Sequence, residues 1–199
     1  MNISRRKFIR NTTSAAAGIG LVGGHPLAAA SRRISPSDTV RVGLIGCRSM
    51  GFNILKLHLQ QQGVECAALD DVDANILEKR AGDVNELQGK KPRLYSDYRK
   101  MLEDKNIDAV IIGTPDHWHC LNMVDACAAG KDVNIEKPLA NSIGECDIMV
   151  KAANRYNKVV QVGMQQRSAK HWQEAIKNVQ EGKLGKVRKV SIWANFQNY

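Results

Sequence analysis

The sequence predicts an α/β protein in which helices cover both faces of a doubly wound parallel sheet. Two observations predict this fold class. Five short runs rich in β-branched and other apolar residues alternate with segments of helical periodicity. The intervening segments are also long enough for the helical crossovers that connect parallel strands. Because ligands of such sheets bind beyond the carboxyl ends of the strands, polar residues at those ends are the candidate site residues.

The predicted elements follow one another in a regular order. Val40–Gly46 (VRVGLIG) is short and β-branched, which is typical of a strand buried on both faces. Gly63 and Gly130 each follow a helical segment and are typical C-terminal stop signals. The predicted strands are residues 40–46, 64–70, 108–115, 132–138 and 158–164, and the predicted helices between them are residues 52–62, 74–87, 117–130 and 143–157.

The pattern changes near residue 165. Residues 170–186 have helical periodicity, and residues 187–199 alternate like an amphipathic strand. One strand cannot cover its own apolar face. We therefore expect residues 39–165 to form a nucleotide-binding domain and residues 166–199 to be the truncated start of a second, substrate and oligomerisation domain of α/β (α+β) type.

The first 30 residues have the features of an export signal. Ser4–Arg10 (SRRKFIR) is a twin-arginine pattern, followed by an apolar segment and by Ala28-Ala29-Ala30, which fits a small-residue cleavage site. The apolar run 15–24 is shorter than the ~20 residues needed to span a bilayer. This predicts a cleaved signal peptide at 1–30, a linker at 31–38, passage through the twin-arginine translocase, and a periplasmic protein with no stable membrane anchor. The alternatives are a basic amphipathic start that stays attached and an uncleaved anchor.

Charge and the placement of cysteine and histidine argue against a nucleic-acid-binding protein and against a metal site. The net charge is +9, but four basic residues lie in the leader, and the remaining surplus is scattered rather than forming a stripe with aromatic residues. We therefore expect no nucleic-acid partner. None of the five cysteines forms a C-x-x-C, and His117 and His119 have no clustered third ligand, so no metal site is predicted.

A glycine-rich turn follows the first predicted strand. In Gly46–Gly51 (GCRSMG), two glycines occupy the first and last places of a G-x-G-x-x-G pattern, and Arg48 occupies the middle place. A helix N-terminus at this point offers N–H donors to a pyrophosphate. The Arg48 Cβ would crowd the phosphate, but its guanidinium could clamp it. We expect Gly46, Cys47, Arg48, Met50 and Gly51 to contact the cofactor.

Acidic residues follow the second predicted strand at the spacing of a ribose-binding acid. Asp70 and Asp71 lie about 20 residues beyond the glycine-rich turn, where a carboxylate accepts hydrogen bonds from the ribose hydroxyls. Two adjacent carboxylates would repel a 2′-phosphate, so NAD is favoured over NADP. Asp73 is expected to cap the next helix.

Two further strand ends carry candidate residues. Thr114 and Pro115 follow the third strand, and His119 is expected to bind the ligand or the backbone. Glu136 and Lys137 end the fourth strand and should point to opposite faces, so they cannot simply neutralise each other. A lysine at this edge could hydrogen-bond a hydroxyl or carbonyl beside the cofactor.

The ordered motifs GLIGCRSMG, DVD, GTPDHWH, EKP and VGMQQR resemble those of the Gfo/Idh/MocA oxidoreductases, the glucose–fructose oxidoreductase and inositol dehydrogenase group. The resemblance covers about Val40 to Tyr199 and implies an N-terminal Rossmann domain that binds NAD(P). By motif match, the resemblance implies the following roles: Lys137 as the active-site lysine, Glu136 in the nicotinamide pocket, Asp71 on the ribose, His119 as the T-P motif histidine, and Gln165 with Arg167 at the entry to the second domain. The family's D-x-x-x-H motif, which carries the usual acid/base histidine, is missing from these 199 residues.

The sequence therefore predicts the N-terminal part of an exported NAD-dependent oxidoreductase that acts on a CH–OH group of a sugar or polyol. The resemblance also implies that the full-length protein forms a homo-oligomer. Two alternatives stay open: a redox-neutral, NAD-dependent glycoside hydrolase of the same fold, and a non-catalytic nucleotide-binding remnant. Without the second-domain histidine, the 199-residue chain should turn over poorly or not at all.

Overall fold

A six-stranded parallel sheet organises the molecule. The structure is a computed structural model and describes residues 38–192, so the predicted signal peptide lies outside the described residues. The strands are ordered β3-β2-β1-β4-β5-β6 across the sheet. Their bounds are β1 Val40–Ile45, β2 Val64–Asp70, β3 Arg93–Tyr95, β4 Ala109–Ile112, β5 Asp132–Ile135 and β6 Val160–Val162.

Six α-helices connect or follow these strands. They are α1 Ser49–Leu59, α2 Ala74–Gln88, α3 Tyr98–Leu102, α4 Asp116–Ala128, α5 Ile143–Tyr156 and α6 Lys170–Gln180, and a 3-10 turn spans Gln165–Ser168. Among the described residues, none of these helices is long and apolar enough to cross a membrane. The prediction of a doubly wound α/β sheet is confirmed.

The sheet buries both of its faces, which explains the apolar character of its central strands. Ile111 and Ile112 are neighbours on β4 but belong to two different core clusters, one on each face of the sheet. Ile112 packs in the cluster that contains Met123 of α4 and Met149 of α5. Ile111 packs in the cluster that contains Leu55 of α1. Residues alternate between the faces of a strand, so a strand buried on both sides has a continuous apolar run.

The strand order reverses between β1 and β4. β1 pairs with β2 on one side and with β4 on the other, so the loops that follow these two neighbouring strands diverge to opposite faces. In such sheets the crevice at this point is the usual ligand site. The fold therefore places the glycine-rich turn after β1 and the Thr114–Pro115 turn after β4 side by side.

Local signals explain where several helices begin and end. Asp73 accepts hydrogen bonds from the backbone N–H groups of Asn75 and Ile76 at the start of α2, so its predicted role as a cap is confirmed. Gly130 follows α4 and has a φ of +78°, in the left-handed region that suits glycine. This conformation is the one expected of a glycine that ends a helix, which is the predicted role of Gly130.

Three predictions about the elements were wrong or incomplete. The sequence pattern missed β3 and the short helix α3, which lie between α2 and β4. The third, fourth and fifth predicted strands are shorter than predicted: β4 ends before Thr114, β5 ends before Glu136 and Lys137, and β6 spans only Val160–Val162. The strand predicted at 187–199 does not form over residues 187–192, and the rest of it lies outside the described residues. No neighbouring strand supplies hydrogen-bond partners to residues 187–192, and a strand needs such partners.

Candidate functional site

An open cleft of about 690 Å³ lies at the carboxyl edge of the sheet. The loops after β1, β2, β3 and β4 and the first turns of α3 and α4 surround it. Of the residues predicted from the sequence, Gly46, Arg48, Asp71, Thr114 and Pro115 line the cleft. The fold thus brings together side chains that are far apart in the sequence, in a space large enough for part of a dinucleotide.

Three glycines pack the glycine-rich turn against the end of β4. Gly46 has a φ of +85°, and a Cβ there would lie 2.8 Å from the Thr114 backbone nitrogen. A Cβ on Gly51 would lie 2.2 Å from the Gly46 carbonyl oxygen, and one on Gly113 would lie 2.5 Å from the Gly51 Cα. Only glycine allows this close approach of the helix, the turn and the neighbouring strand.

Asp71 joins the first two loops. Its buried carboxylate accepts a hydrogen bond of 2.7 Å from the Cys47 backbone N–H and one of 3.0 Å from the Asp73 backbone N–H. Each carboxylate oxygen can accept more than one hydrogen bond, so the same group can still accept from a ribose hydroxyl. Burial, followed by the charge of Asp71, raises the pKa of the Cys47 thiol, so this cysteine stays a neutral packed residue.

Arg48 lies at the mouth of the cleft and already has a partner. Its guanidinium donates to Asp73 Oδ2 at 2.6 Å, and 67% of its side chain is exposed. Arg48 occupies the position before α1 and makes no side-chain hydrogen bond to that helix. The first N–H groups of α1 therefore have no side-chain cap and are available to an anion. To clamp a phosphate, the guanidinium would have to leave or share Asp73.

A second group of predicted residues lies at the ends of β5 and β6. Glu136 is buried and accepts hydrogen bonds of 2.5 Å from Gln165 Nε2 and 3.1 Å from the Lys137 backbone N–H. Lys137 is exposed, and its ammonium forms no salt bridge within residues 38–192. Glu136 and Lys137 therefore do not neutralise each other.

Met50, predicted to contact the cofactor, is exposed in the first turn of α1 and does not line the cleft.

His119 links the two groups of residues. Its ring is 1% exposed, and its nitrogens lie 2.8 Å from the Pro138 carbonyl oxygen and 2.9 Å from the Thr114 carbonyl oxygen. Neutral imidazole donates from one nitrogen, whereas imidazolium donates from both. His119 thus contacts the backbone of the loops after β4 and β5, which fits a positioning role better than direct contact with a ligand.

Replacing His119 with leucine should destabilise the protein. Leucine fills a similar space but has no nitrogen to contact the carbonyl groups of Thr114 and Pro138, and at least one of these groups loses a hydrogen-bond donor. We expect the free energy of unfolding to fall by about 1–3 kcal/mol, measured by urea denaturation. His119→Gln, which keeps a donor, should lose less. Equal losses for the two variants would mean that the ring contributes by packing alone.

Several residues of the cleft were not predicted from the sequence as site residues. Thr114 Oγ1 donates to the buried Asn122 Oδ1 at 3.0 Å, which fixes the turn after β4 on α4. Periodicity gave no sign of β3, and the loop after it therefore could not be placed at the site. Asp70, predicted with Asp71 as an acid after the second strand, is buried at the cleft. The unpredicted lining residues are Ile45, Val72, Ser96, Asp97, Tyr98, Arg99, Trp118, Leu121 and Asn122.

Acidic and sulfur side chains do not assemble into a metal site in the described part of the chain. No group of three or more His, Cys, Asp or Glu side chains within residues 38–192 could hold a metal ion. The five cysteines are free.

Comparison with known proteins agrees with this geometry. A family model described as "Oxidoreductase family, NAD-binding Rossmann fold" matches residues 40–164. A glycosyl hydrolase family 109 protein from Shewanella baltica is 30% identical over 176 residues, which cover 79% of this chain and 38% of that protein.

Two solved structures have the same fold over the described sheet. The myo-inositol 2-dehydrogenase from Lactobacillus plantarum is 30% identical with a TM-score of 0.66, over 75% of this chain and 43% of that one. The WlbA dehydrogenase from Chromobacterium violaceum, solved in complex with NADH and UDP-GlcNAcA, is 26% identical with a TM-score of 0.66, over 74% of this chain and 41% of that one. The present chain thus spans less than half the length of each of these relatives. With the family model matched along β1 to β6, the chain belongs to the Gfo/Idh/MocA family of NAD-binding oxidoreductases.

Proposed function

We propose that this chain is the nucleotide-binding part of an exported, NAD-dependent oxidoreductase that acts on a CH–OH group of a sugar or polyol. The observation that carries the proposal is the cleft itself. The turn Gly46–Gly51, the uncapped start of α1 and the buried acid Asp71 surround one space at the point where the strand order reverses.

The charges around the cleft favour NAD over NADP. Asp71 and Asp97 line it, and Asp73 lies beside its mouth, where it already engages Arg48. A 2′-phosphate on the adenosine ribose would meet this group of carboxylates, whereas ribose hydroxyls can donate to them. We therefore expect the chain to bind NAD more tightly than NADP.

In the proposed mechanism the chain's residues hold the reactants and assist the loss of a proton. When bound, NAD supplies the acceptor for the hydrogen and electron pair that leave the carbinol carbon. The N–H groups at the start of α1 hold the pyrophosphate, and Asp71 holds the ribose. The Lys137 ammonium would donate a hydrogen bond to the substrate oxygen and stabilise it as its proton leaves to water, while buried Glu136, fixed by Gln165, would line the nicotinamide side.

A second candidate function is redox-neutral glycoside hydrolysis. It is favoured by the similarity to glycosyl hydrolase family 109 proteins, which are 30% identical over most of this chain. In that reaction bound NAD would be reduced and then reoxidised within one cycle, which suits a compartment without an NAD pool.

Calorimetric titration of the chain with NAD and NADP tests the nucleotide site, and absence of binding would contradict the proposed function. Absorbance of reduced nicotinamide separates the two reactions in protein that turns over. A net dehydrogenase accumulates the reduced form with a polyol or sugar, whereas a redox-neutral hydrolase releases product without accumulating it.

Export, a second domain and assembly are also proposals. The twin-arginine pattern at Arg5 and Arg6 supports periplasmic export, and replacing both with lysine in a reporter fusion should block it.

Apolar side chains are exposed on α6, namely Trp172, Ile176 and Val179. They support a further domain that would cover them and provide substrate and oligomer contacts. An open reading frame beyond the Tyr199 codon that encodes D-x-x-x-H would support that domain.

Arg48→Gly tests the proposed phosphate clamp. If the guanidinium leaves Asp73 to contact the pyrophosphate, its loss should weaken NAD binding about tenfold, since a charge-assisted hydrogen bond contributes about 1.5–3 kcal/mol. Titration calorimetry measures the change. Arg155→Ala on α5, away from the cleft, is the control for loss of one positive charge. Unchanged or tighter NAD binding by Arg48→Gly would exclude the clamp.

A further inference from the structure

Asp70 presents an unpaired buried oxygen at the cleft. The residue is 5% exposed, and its Oδ1 is the one buried side-chain nitrogen or oxygen within residues 38–192 that has no hydrogen-bond partner. Buried polar atoms are almost always hydrogen-bonded. Since Asp70 lines the cleft, a ligand in the cleft can provide the missing partner.

In the described part of the chain, no positively charged side chain forms an ion pair with Asp70. The two arginines that line the cleft are paired elsewhere: Arg48 with Asp73 at 2.6 Å and Arg99 with Asp97 at 2.9 Å. Burial, followed by the charges of Asp71 and Asp97, raises the pKa of the Asp70 carboxyl to about 7. The titratable or charged groups that face Asp70 from the surrounding loops are Arg48, Asp71, Asp97, Tyr98, Arg99 and the Cys47 thiol, which donates to the Asp70 carbonyl oxygen.

The rest of the cleft suits a flat heteroaromatic ring. Val72, Trp118 and Leu121 line it with apolar surface, and Asn122 is held by Thr114. Asp71 accepts a hydrogen bond from the Cys47 backbone N–H of the glycine-rich turn, whereas Asp70 Oδ1 accepts none. Asp71 is thereby left for the ribose, and Asp70 for the group beyond it.

We propose that Asp70 binds the adenine base of the dinucleotide as a neutral acid. A carboxyl group offers one O–H donor and one carbonyl acceptor, and adenine offers the complementary N1 acceptor and 6-amino donor. An ionised carboxylate would lack the donor and could not bond to the adenine N1. This inference rests on the proposed function, namely that the cleft takes NAD.

The test is calorimetric titration of NAD, and separately of adenosine, at pH 6 and pH 8. If only the neutral acid binds, the wild-type Kd for NAD should rise about tenfold from pH 6 to pH 8, by proton linkage with a group that titrates near 7. Asp70→Asn, which keeps the shape and cannot ionise, should bind at both pH values with the wild-type affinity of pH 6. Adenosine has no phosphate, so the same trend with adenosine assigns the effect to the base and ribose.

Asp147→Asn on exposed α5 is the matched control and should keep the wild-type pH dependence. A pH-independent wild-type Kd, or loss of NAD binding by Asp70→Asn at pH 6, would overturn the role of Asp70 alone. Absence of NAD binding by the wild type at both pH values would overturn the proposed function and this inference together.

Protein stability provides a second measurement that needs no ligand. The pKa of Asp70 is raised in the folded state, so its stabilising contribution is present at low pH and is lost as the pH rises through about 7. Asp70→Asn should therefore have a higher urea midpoint than the wild type at pH 8, and the difference should shrink toward pH 5. Equal midpoints at pH 8 would show that the folded protein does not favour the neutral form of Asp70.

Discussion

Gly51→Ala is expected to abolish the folded state or to lower the free energy of unfolding by more than about 3 kcal/mol. The new methyl carbon would lie 2.2 Å from the Gly46 carbonyl oxygen and 3.3 Å from the Gly113 Cα. Both neighbours are backbone atoms, which cannot rotate away as the end of a side chain can. Either α1 must move away from the sheet or the glycine-rich turn must distort. Urea unfolding followed by circular dichroism measures the loss.

Gly82→Ala provides the matched control for this substitution. Gly82 lies within α2, and a Cβ there would meet nothing within 4 Å. Because alanine favours a helix over glycine, this variant should gain about 0.5–1 kcal/mol. If Gly51→Ala unfolded at the same urea concentration as the wild type, the close packing of the turn against β4 would not contribute to stability as argued.

The apolar pattern of the sequence predicted most of the fold. β1, β2, β4 and β5 are the four inner strands of the sheet. Strands that are buried on both faces have continuous apolar runs, which are visible in the sequence. β3 lies at the sheet edge and has three residues, of which Arg93 is exposed, so it has no such run. Its pairing with β2, rather than its own composition, makes it a strand.

The site was predictable where the chain follows a local rule. The turn after β1, Asp71 and the Thr114–Pro115 turn lie at strand ends, and the topology brings all of them to one cleft. Partners that depend on distant residues were not predictable. The pairing of Arg48 with Asp73 and the placement of His119 between two backbone carbonyls arise from tertiary contacts of side chains. The unpaired oxygen of Asp70 likewise follows from packing rather than from spacing.

Lys137→Met is expected to lower kcat by about 10²–10⁴-fold in protein that turns over a sugar or polyol. Methionine has nearly the length of lysine but has no ammonium to bind the substrate oxygen or assist loss of its proton. Lys137 is exposed at the end of β5 and does not line the cleft, so NAD binding should stay within about threefold of the wild type. Steady-state kinetics and NAD titration together separate the loss of chemistry from the loss of cofactor.

Two further variants show which property of Lys137 matters. Lys137→Arg keeps the positive charge, but a guanidinium does not lose its proton near neutral pH, so kcat should stay low if proton transfer is the role of the lysine. Lys151→Met makes the same change on the exposed surface of α5, where Lys151 pairs with Asp147, and should leave kcat unchanged. Because Glu136 is fixed by Gln165 and the Lys137 backbone, removal of the lysine side chain leaves that carboxylate in place. Full activity in Lys137→Met would therefore exclude the lysine from the chemistry.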